Sequence, residues 1–127
     1  MMNTRQLIHC AVLAFSTLAL SPAMAHGEGK ARHGGVVQTA HDLTFELVTD
    51  ADGATVYLVD HGVPLSSAGV RGKLTVLQSG KKVDAELTPA GDNKLRATGV
   101  KIGKGDKIVA VLDKVAGKTV TVRFVIK

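Results

Sequence analysis

The sequence predicts an all-β fold: an antiparallel β-sandwich, immunoglobulin-like or fibronectin-III-like, of seven or eight short strands behind a cleaved signal peptide. Three observations lead there. Apolar and polar residues alternate with period two over most of the chain beyond residue 35, the signature of half-buried strands. Glycine, proline, Asp and Asn interrupt that pattern roughly every eight to twelve residues, as in sandwiches and barrels. No segment keeps a helical period, and the β-branched content favours strands.

The chain opens with the three parts of an export signal. Arg5 is the only charged side chain in the first 25 residues, and an apolar run from Leu7 to Leu20 follows it. Ser21-Pro22 ends the run, and Ala23-Met24-Ala25 offers the small-x-small pattern of a cleavage site. The run is shorter than the ~20 residues that span a bilayer. Residues 1–25 are therefore read as a signal peptide and the destination as the periplasm. Cys10 does not fit a lipidation site, because His9 precedes it and the apolar stretch follows it.

Cleavage after Ala25 leaves 102 of the 127 residues, enough for one domain. Cys10 and all three methionines leave with the signal, so the processed chain has no sulfur and no disulfide. Fifteen basic and 11 acidic residues remain, a net charge of +4. The lysines are scattered, and once Phe15 leaves with the signal the aromatics of the processed chain are only Phe45, Tyr57 and Phe124. Base-stacking platforms need aromatics beside basic groups. Neither nucleic acid nor, after cleavage, a membrane is expected as a partner, and the lysines read as solvated faces and edge protection.

Residues 26–35, with four glycines in ten, read as a flexible Gly/His arm ahead of a β-sandwich domain over 36–127. Strands are expected near 36–39, 42–49, 54–60, 73–78, 82–88, 94–98, 107–113 and 119–126. Turns are expected at 50–53, 79–80, 89–93, 103–105 and 116–117. In the last strand Val120, Val122, Phe124 and Ile126 share one face. The expected core comprises Phe45, Leu47, Val56, Leu58, Leu74, Val76, Val122 and Phe124.

One hairpin can be set in register. With 50–53 as the loop, Thr49 faces Ala54, Phe45 faces Leu58 and Leu47 faces Val56, which gathers the apolar residues on one face. A slip by one residue would mix the faces. Carried to its open end, this register sets Asp42 opposite His61, beside His41 and Asp60.

The four histidines of the processed chain, His26, His33, His41 and His61, all lie in its first 36 residues. Imidazole is the commonest metal ligand, and Asp42 and Asp60 can ligate a metal or orient an imidazole. Without Cys or Met, a soft Cu(I) site within the monomer is excluded, leaving Cu(II), Zn(II), Ni(II) or Co(II) on nitrogen and oxygen. The competing reading is structural: an Asp42–His61 ion pair, a hinge at His33-Gly-Gly and a tail at His26. After cleavage His26 is residue one, so its α-amine and imidazole can chelate a metal together, with His33 as a further nitrogen. Nucleophile elbows, phosphate-cradling loops and a cysteine nucleophile are missing, and neither catalysis nor an organic cofactor is expected.

The segments His33-Gly-Gly35, Leu43-Thr-Phe-Glu46-Leu-Val48, Val56-Tyr57-Leu-Val-Asp60-His61-Gly-Val-Pro64 and Leu87-Thr-Pro-Ala-Gly91 carry a resemblance. They resemble small periplasmic proteins encoded with heavy-metal efflux systems, and a β-domain of the adaptor (membrane-fusion) subunits of those pumps. The resemblance covers roughly residues 33 to 100 and implies a periplasmic β-sandwich linked to metal resistance. A looser likeness, carried by His26 alone, is to periplasmic copper-carrying sandwiches whose processed chain begins with histidine. Two functions are expected from this: a carrier or buffer of Cu(II) or Zn(II), or a metal-free interaction module docking on an efflux adaptor or another periplasmic protein.

Overall fold

A computed structural model describes residues 29–127. The signal segment expected over 1–25 and His26 lie outside the described residues. The rest is all-β and antiparallel, with strands β1 Val36–Ala40, β2 Leu43–Thr49, β3 Gly53–Asp60, β4 Val63–Pro64, β5 Arg71–Gln78, β6 Lys81–Pro89, β7 Lys94–Thr98, β8 Lys107–Val115 and β9 Lys118–Val125. No helix among the described residues is long and apolar enough to cross a membrane.

Eight strands hydrogen-bond in the order β1-β2-β3-β7-β6-β5-β8-β9, and β4 adds to β3. The two faces of a sandwich are present, but they share a strand. β6 pairs with β5 along Lys81 to Leu87 and then with β7 through Thr88↔Arg96 and Pro89↔Leu95. β1 lies beside β9 at the other seam, so the sandwich is nearly closed into a barrel. A strand that crosses from one sheet to the other is how such corners are made. Strands β5 to β8 form a Greek key, since β8 returns beside β5.

The core follows from the period-two pattern. Phe45, Leu47, Val56, Leu58, Leu74, Val76, Val122 and Phe124, the expected set, are all buried. Leu87, Leu95, Ile108, Leu112 and Val120 are among the further residues buried with them. The β2–β3 register also stands as expected: Phe45↔Leu58, Leu47↔Val56 and Thr49↔Ala54 are partners.

Three departures have physical causes. Gly53 belongs to β3, opposite Thr98, rather than to the preceding turn. That turn is closed from outside by Arg96 of β7, whose guanidinium forks onto both Asp50 carboxylate oxygens. This pairing, with N–H donation from Asp52 and Gly53, pulls the Asp50 carboxyl down to about 2. β8 runs on to Val115 through an irregularity after Leu112, where Lys114 takes a left-handed φ of 61° and Val115 returns to the core. β4 arises because Asp60 pairs with Val63 across the two-residue turn His61-Gly62. Both turn residues have positive φ, 47° and 82°, the type I′ geometry that matches the twist of a hairpin.

Candidate functional site

Strand β2 turns Leu43, Phe45 and Leu47 toward the core and Thr44, Glu46 and Val48 to its outer face. Glu46 is nevertheless only 4% exposed, because the segment before β1 folds back over it. Four donors converge on its carboxylate. Oε1 accepts the N–H groups of His33 at 2.8 Å and Gly35 at 3.0 Å. Oε2 accepts the N–H of Arg32 at 3.1 Å and the His33 ring nitrogen Nδ1 at 3.0 Å. Successive backbone N–H groups wrapped around an anion form a nest. Burial pushes the Glu46 carboxyl up, but the Gly35 N–H, the His33 ring and the His33 and Arg32 N–H groups outweigh it. The result lies below the ordinary carboxylate value.

The two glycines after His33 serve this contact. Gly34 takes a left-handed φ of 73°. Gly35 lies so close to β2 that a Cβ there would fall 2.3 Å from the Leu47 carbonyl oxygen. A side chain at Gly35 would force the backbone to move, and one at Gly34 would be strained by the left-handed φ although the space is open. The arm expected to be flexible over 26–35 is thus tied to the sheet at 32–35. The His33 ring lies flat on Tyr57, with centroids 3.7 Å apart and planes 5° from parallel. Tyr57 is the cross-strand partner of Glu46, so one pair of opposed residues holds both the nitrogen and the face of the imidazole.

An ionised carboxylate only accepts hydrogen bonds, so Nδ1 of His33 carries the proton. In the neutral ring Nε2 then keeps its lone pair, and it has no partner among the described residues. His61 repeats the arrangement: its Nδ1 meets Asp60 Oδ1 at 2.5 Å, and its side chain is 81% exposed. Carboxylate-held Nδ1 with Nε2 open is the usual outer-shell arrangement of metal-ligating histidines.

His41 and Asp42 occupy the two-residue turn between β1 and β2, with φ of 50° and 63°. The register ends at Leu43↔Asp60, and Asp42 and His61 both lie beyond it, in turns. The cross-strand Asp42–His61 ion pair considered from sequence is absent, and His61 bonds instead to its neighbour Asp60. His41-Asp42 and Asp60-His61 therefore sit at the same end of adjacent strands, and His33 sits on the sheet face. Among the described residues no three His, Cys, Asp or Glu side chains converge as a metal-holding group.

The arm leads back to this end. Arg32 donates through Nη2 to the Gly62 carbonyl oxygen at 2.8 Å. Gly29, where the described chain begins, lies against Thr44, which is next to the end of the β2–β3 ladder. Glu46 and Tyr57 were not singled out from sequence as site residues. The signal available was Glu46 itself, the one charged residue in the otherwise apolar and threonine-bearing strand Leu43–Thr49.

Comparison with protein-family models, characterised proteins and solved structures returns no significant match.

Proposed function

We propose that the chain is exported to the periplasm, processed after Ala25, and serves there as a non-catalytic carrier or buffer of Cu(II) or Zn(II). The observation that carries this reading is the pair His33–Glu46 and His61–Asp60, each holding Nδ1 on a carboxylate and leaving Nε2 as the donor. Nitrogen and oxygen donors of this kind suit Cu(II) and Zn(II). The arm adds support. His26 stands three residues before Gly29, a reach of at most roughly 10 Å in extended chain, and Gly29 lies near the turns that carry His41-Asp42 and Asp60-His61. A processed His26 would bring an α-amine, a donor that the described residues lack, and one further imidazole beside His33, His41 and His61. The association with heavy-metal efflux or resistance rests on the motif likeness of residues 33 to 100.

A second reading is a metal-free module that docks on an efflux adaptor or another periplasmic protein. The observation favouring it is that no three ligands converge among the described residues. Titration separates the two. Protein beginning at His26 should bind Cu(II) more tightly than the same protein with one extra N-terminal methionine, because the extension converts the α-amine to an amide. Cu(II) should also exceed Zn(II), following the usual order for divalent metals. Binding should fall steeply below roughly pH 6, where protons compete with the metal for imidazole and amine nitrogens. Equal Cu(II) affinity of the two forms would remove His26 from the site. No Cu(II) or Zn(II) binding by either form would leave the docking module.

A further inference from the structure

Read along the chain, the lysines look dispersed, but the topology gathers five of them. β5 ends, β6 begins, β8 begins and the β7–β8 loop runs at one end of the barrel, opposite the His41 and His61 turns. Lys81, Lys82, Lys101, Lys104 and Lys107 all sit there and all are exposed. None of the five has a carboxylate within ion-pair distance among the described residues. The acidic side chains toward this end are Asp50, Asp52, Asp84 and Asp106, and Asp84 is engaged by Lys73 and the Thr75 hydroxyl. Asp50 is neutralised by Arg96, and Asp106 is engaged by Gln78 and the Gly103 N–H.

Apolar side chains are interleaved with these lysines. Leu77 faces Lys82 on one side and Lys107 on the other, and Lys107 faces Val125. This makes a lateral row Lys82, Leu77, Lys107, Val125 across four strands. Leu77 and Val125 are 41% and 49% exposed, and Val83, 38% exposed, follows Lys82 at the same end but on the opposite face of β6, paired with Val76. Three of the four large apolar side chains exposed among the described residues thus lie at the lysine end.

We infer that this end of the barrel docks on an anionic phospholipid surface. Charge complementarity selects an anionic partner, and residue type selects lipid over an acidic protein. Protein interfaces concentrate binding in Trp, Tyr and Arg and are depleted in Lys. This end has lysines, aliphatic side chains and no aromatic: Phe124 is in the core and Tyr57 lies under His33. Headgroups require only several lysines near one plane, while lysine stems and short aliphatic chains settle at the acyl boundary. Each lysine near such a surface strengthens binding about fivefold. The inference does not depend on metal binding, since no histidine among the described residues lies at this end.

The test uses metal-free protein beginning at His26, which contains the whole described fold, in flotation with phosphatidylcholine vesicles with and without about 30 mol% phosphatidylglycerol. Flotation is expected only with the anionic vesicles at about 0.05 M salt and should be lost near 0.5 M. The variant K101Q/K104Q/K107Q should bind at least about tenfold more weakly. The double variants K104Q/K107Q and K114Q/K118Q remove equal charge from the two ends, and K114Q/K118Q should bind more strongly; circular dichroism checks that both fold. Equal losses in the two variants, or no flotation at low salt, would overturn the inference. Binding to soluble polyglutamate without binding to the anionic vesicles would overturn it in favour of an acidic protein.

Discussion

Phe124→Ala is expected to destabilise the domain by about 3–5 kcal/mol, read as a lower urea midpoint with an unchanged slope. Phe124 is 1% exposed and faces Ile108 across β8–β9. It is one of the two largest side chains in the core, the other being Phe45. Truncation removes the transfer energy of the ring and leaves a cavity that rigid strands cannot close. Small domains hold about 5–15 kcal/mol in total, and Cys10 is the only cysteine, so no disulfide within the described residues compensates. The adjacent Val125→Ala is the control. Val125 is 49% exposed, and its truncation should stay within about 0.5 kcal/mol. Similar losses at both positions would contradict the period-two burial on which the fold rests.

The same periodicity explains how much of the fold was legible in advance. Register in β2–β3 is decided by which residues must share a face, and Phe45, Leu47, Val56 and Leu58 admit one answer. What could not be read were features fixed by backbone rather than by apolar pattern. The turns His41-Asp42 and His61-Gly62 take left-handed conformations without the Asn-Gly or Asp-Gly pair that usually announces them. For that reason β4 is not legible in the sequence, and apolar pattern alone extends the register to Asp42 and His61, past its end at Leu43↔Asp60. Closure of the sandwich depends on β6 serving two sheets, and its nine residues carry no mark of where the partner changes.

The candidate site divides along the same line. His33, His41, Asp42, Asp60 and His61 are legible as residue types, and the β2–β3 register leaves four of them at one end of the hairpin, without a convergence of three ligands among the described residues. The role of Glu46 was hidden because three of its four partners are backbone N–H groups, which every residue but proline possesses. His33-Gly-Gly looked like a hinge for the same reason. Gly35 serves a close approach to β2 and Gly34 a left-handed turn, not freedom of movement.

Glu46→Ala tests that arrangement and is expected to cost about 2–3 kcal/mol, since several N–H donors lose a charged acceptor at once. Amide exchange at 32–35 should accelerate selectively if the arm lifts, while exchange in the β5–β6 and β8–β9 pairs stays slow. The pH dependence has a definite sign. The folded carboxyl lies below its ordinary value of 4.5, so its contribution is fully present above that value. It is lost as pH falls through the lower folded value. Glu46→Ala and Glu46→Gln should both lack this part of the acid limb. Glu46→Gln retains one acceptor oxygen and should destabilise less. Metal binding adds a readout that arm docking alone would not move. If His33 contributes Nε2, loss of its carboxylate should weaken Cu(II) binding roughly 10–100-fold, and His33→Ala should weaken it no less. Unchanged Cu(II) affinity in both variants, with the arm released in Glu46→Ala, would assign Glu46, His33 and Tyr57 to holding the arm and leave His26 and the His41 and His61 turns as the remaining ligands.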